Sequence, residues 1–171
     1  GTGYGLDKTI WGGEFFAVSD LKIERIAHLR QFRLPGGERA AREGYRCAFG
    51  ICDQLHDVET NDLPFMRHIG ENEKIFRTMC EKGVSAPYTS SVGRLFDAVA
   101  AILNVRHRSG FEGHAAMELE WCADRASQNA HYELSPFRIT QETDGCMVLD
   151  WREMITSLID GMRERIPKEV L

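Results

Sequence analysis

The chain has 171 residues, 43% of them hydrophobic and 27% charged, and a formal net charge of −5. That length can bury one real core, and the composition is that of an ordinary globular domain. The acidic balance argues against a nucleic-acid or anionic-membrane partner, and no apolar run is long enough to span a bilayer. The cysteines are Cys47, Cys52, Cys80, Cys122 and Cys146, an odd number with no Cys-x-x-Cys pair. This excludes a zinc ribbon and a disulfide framework as first readings and predicts reduced thiols in a cytoplasmic chain.

The chain opens on Gly1-Thr2-Gly3-Tyr4-Gly5. Glycines let backbone N–H groups turn toward an anion, so this run could cradle a phosphate. It is neither a P-loop nor a dinucleotide fingerprint, and by itself the run favours a plain β-turn. A glycine loop normally follows a strand, yet nothing precedes this one and no Met starts it, so the chain is expected to be a piece of a longer one. Residues 1–18 predict two strands joined by a turn at Leu6-Asp7-Lys8, with β-favouring bulk at Ile10, Trp11, Phe15, Phe16 and Val18. Gly12-Gly13 interrupts the second strand, as at a bulge or a close backbone approach. Residues 23–34 predict a further strand, which Pro35-Gly36-Gly37 stops. Trp11-Gly12-Gly13-Glu14 and Leu34-Pro35-Gly36-Gly37-Glu38 each put a carboxylate after paired glycines; functional loops and ordinary turns both do so.

Residues 38–56 read as a helix with Ala41, Tyr45, Ala48, Cys52 and Leu55 on one side. After a polar stretch, residues 71–82 form a second helix, with Gly83 as its stop. Residues 85–103 carry a loop, a helix start and a two-faced helix. Ser90 or Ser91 is placed to cap the first turn. Val92, Leu95, Phe96, Val99, Ile102 and Leu103 recur at helical spacing and predict a buried stripe. The other face holds Asp97 among Gly93, Ala100 and Ala101. A carboxylate among small residues suits a ribose, since it accepts from two hydroxyls; small residues also suit the close packing of another helix, and the pattern alone favours that plainer reading. A loop at residues 104–113 leads into a helix over 114–128. Glu112-Gly113-His114 opens it, with a glycine that suits either ligand approach or a loop end. Residues 131–139 and 146–149 read as a hairpin across Thr143-Asp144-Gly145. The last helix is expected from Asp150, with Glu153 completing a capping box, and to stop by Pro167. The six histidines form no His-x-x-x-His pair, so no metal site is expected within this chain. Strands, helices, a hairpin and a helix in that order predict an α/β (α+β) chain, neither a regular βαβ repeat nor a bundle.

Several segments together resemble one family, in order and over nearly the whole chain. They are Gly1-Thr2-Gly3-Tyr4-Gly5 with Trp11-Gly12-Gly13-Glu14-Phe15, Arg25-Ile26-Ala27-His28-Leu29-Arg30 running into Phe32-Arg33-Leu34-Pro35-Gly36-Gly37, the segment from Ser85-Ala86-Pro87 to Asp97-Ala98-Val99-Ala100-Ala101, and Phe111-Glu112-Gly113-His114-Ala115-Ala116-Met117-Glu118-Leu119-Glu120. The resemblance is weakest over residues 57–82 and 122–146. On these motifs the chain is similar to the HypF family of hydrogenase-maturation carbamoyltransferases, in the middle of their Kae1-like carbamoyl-transfer domain.

The resemblance implies a part of a two-lobed fold of the actin/sugar-kinase/Hsp70 kind: residues 1–35 ending the first lobe, 36–84 a helical segment, and 85–171 starting the second lobe. It implies ATP and carbamoyl-adenylate as nucleotide ligands, the latter made elsewhere in such a protein from carbamoyl phosphate and ATP. The carbamoyl group is then passed to the C-terminal cysteine of the partner HypE, on the way to the cyanide ligands of [NiFe]-hydrogenase. By the same resemblance, Gly1, Thr2 and Gly3 lie along a phosphate loop, Asp97 holds the ribose, Gly113 approaches the sugar or base, and Glu118 is a weaker candidate of that region. No residue stands out as a general base. The family's divalent-metal histidines fall before Gly1, and its closing Gly-Gly and Asn-Asp-Gly-Gly loops fall after Leu171. Its acylphosphatase-like, zinc-finger and YrdC-like domains also lie outside these residues. The chain by itself is therefore expected not to turn over. A non-catalytic nucleotide-binding or docking module of the same fold is the alternative, with a relative of tRNA threonylcarbamoyl transferases ranked lower.

Overall fold

The computed structural model describes residues 3–127 and 130–171. Two four-stranded sheets share the chain's first third. One runs β1 (Gly3–Tyr4), β2 (Ile10–Trp11), β6 (Tyr88–Thr89), β5 (Phe32–Arg33), and the other β3 (Glu14–Ser19), β4 (Lys22–Leu29), β8 (Met147–Asp150), β7 (Arg138–Gln141). The contacts β2–β6 and β4–β8 are parallel, and the remaining pairs are antiparallel. The β1–β2 turn is held by Asp7, whose Oδ1 accepts from the Thr9 backbone N–H at 3.0 Å and from Trp11 Nε1 at 2.9 Å, a side chain standing in for a backbone turn.

The chain passes from one sheet to the other twice. Gly12-Gly13 separates β2 from β3, so the interruption expected within one strand is a change of sheet. The expected single strand over residues 23–34 likewise splits into β4 and β5 around Arg30-Gln31. The polar groups freed there are satisfied from a distance: Trp151 Nε1 donates to the Arg30 carbonyl at 2.7 Å, and Gln54 Nε2 to that of Gln31 at 2.8 Å. These bonds remove the cost of burying unpaired backbone. β6 falls where the sequence predicts a loop; it lies between β2 and β5, and Thr89 is fully buried.

The helices are α1 (Gly44–Cys52), α2 (Met66–Ile69), α3 (Glu73–Lys82), α4 (Val92–Ile102), α5 (His114–Ala123) and α6 (Arg152–Arg163). The helix expected over residues 38–56 is a 3-10 turn at Gly37–Ala41 followed by the shorter α1. Glu43 breaks them apart with non-helical backbone, and its carboxylate is drawn to Arg46 and Tyr45. α5 ends at Ala123, short of the predicted stop at residue 128, and Gln128 lies outside the described residues. The capping box at α6 does not form. Asp150 accepts from the Arg152 N–H at 3.1 Å, while Glu153 pairs with Arg138. The turn across Asp144 and Gly145 joins β7 to β8 as expected, but the first strand is Arg138–Gln141 rather than residues 131–139: residues 131–137 form no strand and run along α6, where the Ser135 N–H donates to Ser157 Oγ at 3.4 Å. The core gathers Phe32 and Trp151, edge to face at 5.9 Å, with Ile51, Phe65, Ile102 and Ile155. All five cysteines are buried and free. No helix among the described residues is long and apolar enough to cross a membrane.

α4 buries more of its surface than the expected stripe. Leu95, Ile102 and Leu103 of that stripe are buried while Val92 and Phe96 are 42% and 46% exposed, and on the other face Asp97 is 4% exposed and Ala100 and Ala101 are fully buried. The physical reason is close helix packing. α1 lies against the small-residue face, and a Cβ added at Gly44 would sit 2.8 Å from the Asp97 carbonyl oxygen. The larger apolar side chains instead line a hollow of about 380 Å³ with Leu119, Phe137 and Leu158.

Candidate functional site

The site is built where the chain first changes sheets. At Gly13 a Cβ would meet the Ser90 carbonyl oxygen at 2.2 Å, so only glycine lets the two backbones approach this closely. Glu14, next in sequence, turns its carboxylate back: Oε2 accepts from the N–H groups of Gly12 at 2.6 Å and Gly13 at 3.0 Å, and Oε1 takes the Ser90 hydroxyl. The Gly-Gly-Glu motif is thus a latch that brings the end of β2 against the start of α4. The second such motif works differently. Gly36 and Gly37 both adopt positive φ, of 97° and 57°, and Glu38 faces an open hollow.

Ser91 caps α4, its Oγ accepting from the Arg94 N–H at 3.4 Å. One turn on, Asp97 points along the same face as Arg94, three residues earlier. Arg94 Nε and Asp97 Oδ2 lie 2.6 Å apart, yet off the hydrogen-bond axis, and both buried atoms lack a hydrogen-bond partner. The pair is a close ion contact with unused hydrogen-bonding capacity. Burial pushes the Asp97 carboxyl above its usual range, and the Arg94 charge opposes that without cancelling it. A buried carboxylate oxygen with no hydrogen bond is costly unless something donates to it.

Asp97 faces a hollow of about 250 Å³ whose walls include Gly12, Ser91, Gly93, Arg94, Glu112 and Gly113. A second hollow, of about 300 Å³, is lined by Gly3, Tyr4, Gly37, Glu38 and Arg94. A third, of about 350 Å³, is lined by Arg42, Arg94, Ser109, Phe111 and Glu112. Arg94 borders all three, so the hollows adjoin at its side chain and together form the candidate cleft. Gly113 has φ of 80°, and a Cβ there would meet nothing within 4 Å. Its glycine serves the left-handed backbone that starts α5, and the space over it is open.

The fold therefore joins Asp97 and Gly113 on one wall and sets Gly3 at the far branch. Glu118 does not line the cleft. It accepts from Arg106 Nε at 2.9 Å and lies 3.2 Å from His114 Nε2; the hydrogen bond from Arg106 holds its carboxyl below the usual range. Gly1 and Thr2 lie outside the described residues. Sequence reasoning passed over Arg94, although an arginine three residues before a helical aspartate already places the two on one face. It also gave no role to Arg42, which follows the 3-10 turn, or to Phe111 in the loop over residues 104–113; the two line one hollow only once these distant segments meet.

The chain matches the family model described as carbamoyltransferase, Kae1-like domain, second subdomain, over residues 1–171. It is 33% identical to the carbamoyltransferase HypF of Synechocystis sp., over 96% of this chain and 23% of that protein. It is 40% identical to HypF2 of Cupriavidus necator, over 72% of this chain and 15% of that one. Among solved structures, full-length HypF in a phosphate- and nucleotide-bound form superposes with a TM-score of 0.82 at 36% identity, covering 99% of this chain and 21% of that one. The HypF of T. kodakarensis superposes with a TM-score of 0.72 at 28% identity, over 99% of this chain and 22% of that one. The chain spans about a quarter or less of the length of these relatives.

Proposed function

The chain belongs to the HypF carbamoyltransferase family, and from that premise we propose that its cleft is one wall of the nucleotide pocket in which a carbamoyl group is passed from carbamoyl-adenylate to the C-terminal cysteine of HypE. The observation that carries this reading is Asp97, 4% exposed, whose Oδ2 has only the ill-aligned Arg94 contact and stands beside an open, glycine-lined hollow. A ribose supplies the two hydroxyl donors that such a carboxylate lacks. A relative of the same architecture was solved with phosphate and nucleotide bound.

In this reading Asp97 takes the ribose hydroxyls and Gly113 lets the sugar or base approach the start of α5. Gly3, with Gly1 and Thr2 ahead of it, borders the phosphate end. Glu118 supports α5 through Arg106 and His114 without touching the ligand. In the transfer, the cysteine thiolate attacks the carbamoyl carbon, the carbon–oxygen bond to the adenylate phosphate breaks, and AMP leaves with that oxygen. The thiol proton goes to a base that these residues do not provide. A divalent metal, where the family uses one, would polarise phosphate or carbamoyl oxygens. Among the described residues no three His, Cys, Asp or Glu side chains converge to hold it.

The test is Asp97→Ala in the full reading frame that carries this chain. Losing the charge-assisted hydroxyl bonds should weaken nucleotide binding by about 1.5–3 kcal/mol while the fold stays intact. Unchanged affinity in a folded variant would retire the ribose assignment. Nucleotide binding without carbamoyl transfer in the complete protein would favour a non-catalytic module.

A further inference from the structure

We propose that Arg94 reads the phosphate of a nucleotide whose ribose sits on Asp97, so that the cleft favours a nucleoside monophosphate, or its acyl ester, over the bare nucleoside. The inference rests on the nucleotide reading above. Arg94 is the sole cationic side chain, among the described residues, that lines either the Asp97 hollow or the Gly3 hollow. Glu112 lines the first and Glu38 the second, so a phosphate entering there would meet only negative charge without it. The arginine side chain is 17% exposed, yet its one polar contact among the described residues is the misaligned approach to Asp97. A guanidinium carries five donors in a planar fork that matches phosphate oxygens two at a time. Here that fork is held at the meeting point of the cleft's branches with almost none of its donors used.

The charge balance suits an exchange of partners. With the cleft free of ligand, Arg94 is the counter-charge of a buried carboxylate. When ribose hydroxyls donate to Asp97, the guanidinium is released from being its sole partner and its fork is free for the phosphate on the Gly3 side. The positive end of the α4 dipole reinforces this, although the Val92 and Arg94 N–H groups are already bonded to the Gly12 carbonyl and the Ser91 hydroxyl. It is also open: a Cβ at Gly93 would touch only the Ser91 Oγ, at 3.7 Å.

The experiment is isothermal titration of the protein in its full reading frame with AMP and with adenosine. The Gly93→Trp variant, whose side chain would fill the hollow over Asp97, defines binding elsewhere in that protein, and its titration is subtracted. The remaining site should bind AMP about ten- to a hundredfold more tightly than adenosine, the range expected for hydrogen bonds between charged groups. Arg94→Met should bring that ratio close to one with adenosine affinity little changed, and Arg94→Lys should keep only part of it, since a point charge replaces a fork. If Arg94→Met melts early because Asp97 has lost its counter-charge, Arg94→Lys carries the test: a severalfold loss of the ratio supports the proposal and an unchanged ratio overturns it. Equal affinity for AMP and adenosine in the wild type also overturns it. No binding above the Gly93→Trp background defeats the nucleotide reading itself, which is a separate outcome.

Discussion

At the scale of single residues, carboxylates with different surroundings do different work. Asp97 is buried with one poorly aligned partner and titrates above the usual carboxylate range. Glu43 is buried too, and burial alone would raise it. Hydrogen bonds from Arg46, Tyr45 and Arg39 outweigh that and hold its carboxyl at about 2. A depressed carboxyl contributes stability above its unfolded value, near 4.5, that is lost as pH falls toward about 2. His107 acts in the same direction at milder pH. Burial, then the neighbouring His68, lowers it from 6.5 to about 4, so the unfolded chain takes up its proton first and stability falls across that interval. Glu43→Gln should therefore flatten the loss of thermal stability between pH 4.5 and 2, the window set by Glu43 itself. Thermal melts of both proteins across that range check this; parallel curves would show that the Arg46–Tyr45–Arg39 cluster does not set the acid limit.

At the scale of elements, the contact between α1 and α4 decides where Asp97 stands. Gly44 opens α1 directly over the Asp97 backbone, with 2.8 Å to the carbonyl oxygen for any added Cβ. Gly44→Ala should cost about 1–3 kcal/mol through overpacking. Because relief means moving α4, it should also weaken nucleotide binding beyond any effect on stability. Chemical denaturation and ligand titration on the same variant separate the two; a destabilised protein with unaltered affinity would show that the site tolerates the shift. The exposed Val92 and Phe96 teach a related point. Helical spacing puts Leu95, Ile102 and Leu103 in the core correctly, but how much of the stripe is covered depends on what arrives to pack over it.

At the scale of the whole molecule, both sheets draw strands from the first third of the chain and from the segment after Ser85, so the cleft forms only when these distant parts meet. Glu14 is the tie, fastening Gly12 and Gly13 on one side and Ser90 on the other. Glu14→Ala should lower stability by about 1–3 kcal/mol, because it strips two N–H groups and a hydroxyl of their acceptor; urea unfolding measures it, and a loss within error would mean the backbone contact at Gly13 holds the sheets without help. Much of this was legible in the residues themselves. The mixed α/β class, the cap at Ser91, the left-handed stop at Gly83, the hairpin at Asp144-Gly145 and the pairing of Asp97 with small neighbours follow from local rules of backbone freedom and periodicity, and the family resemblance follows from motifs in order. The lost portions are the non-local ones. A strand of two residues such as β6 has too few positions to show a period, and its place between β2 and β5 depends on partners far along the chain. The change of sheet at Gly12-Gly13 looks like a bulge until both partner strands are seen. Arg94 was visible as a charge, but its position where three hollows meet exists only after residues 3–41 and 109–113 close around α4. Local chemistry is written in adjacent residues, whereas a cleft is a relation among surfaces that only folding brings within reach of one another.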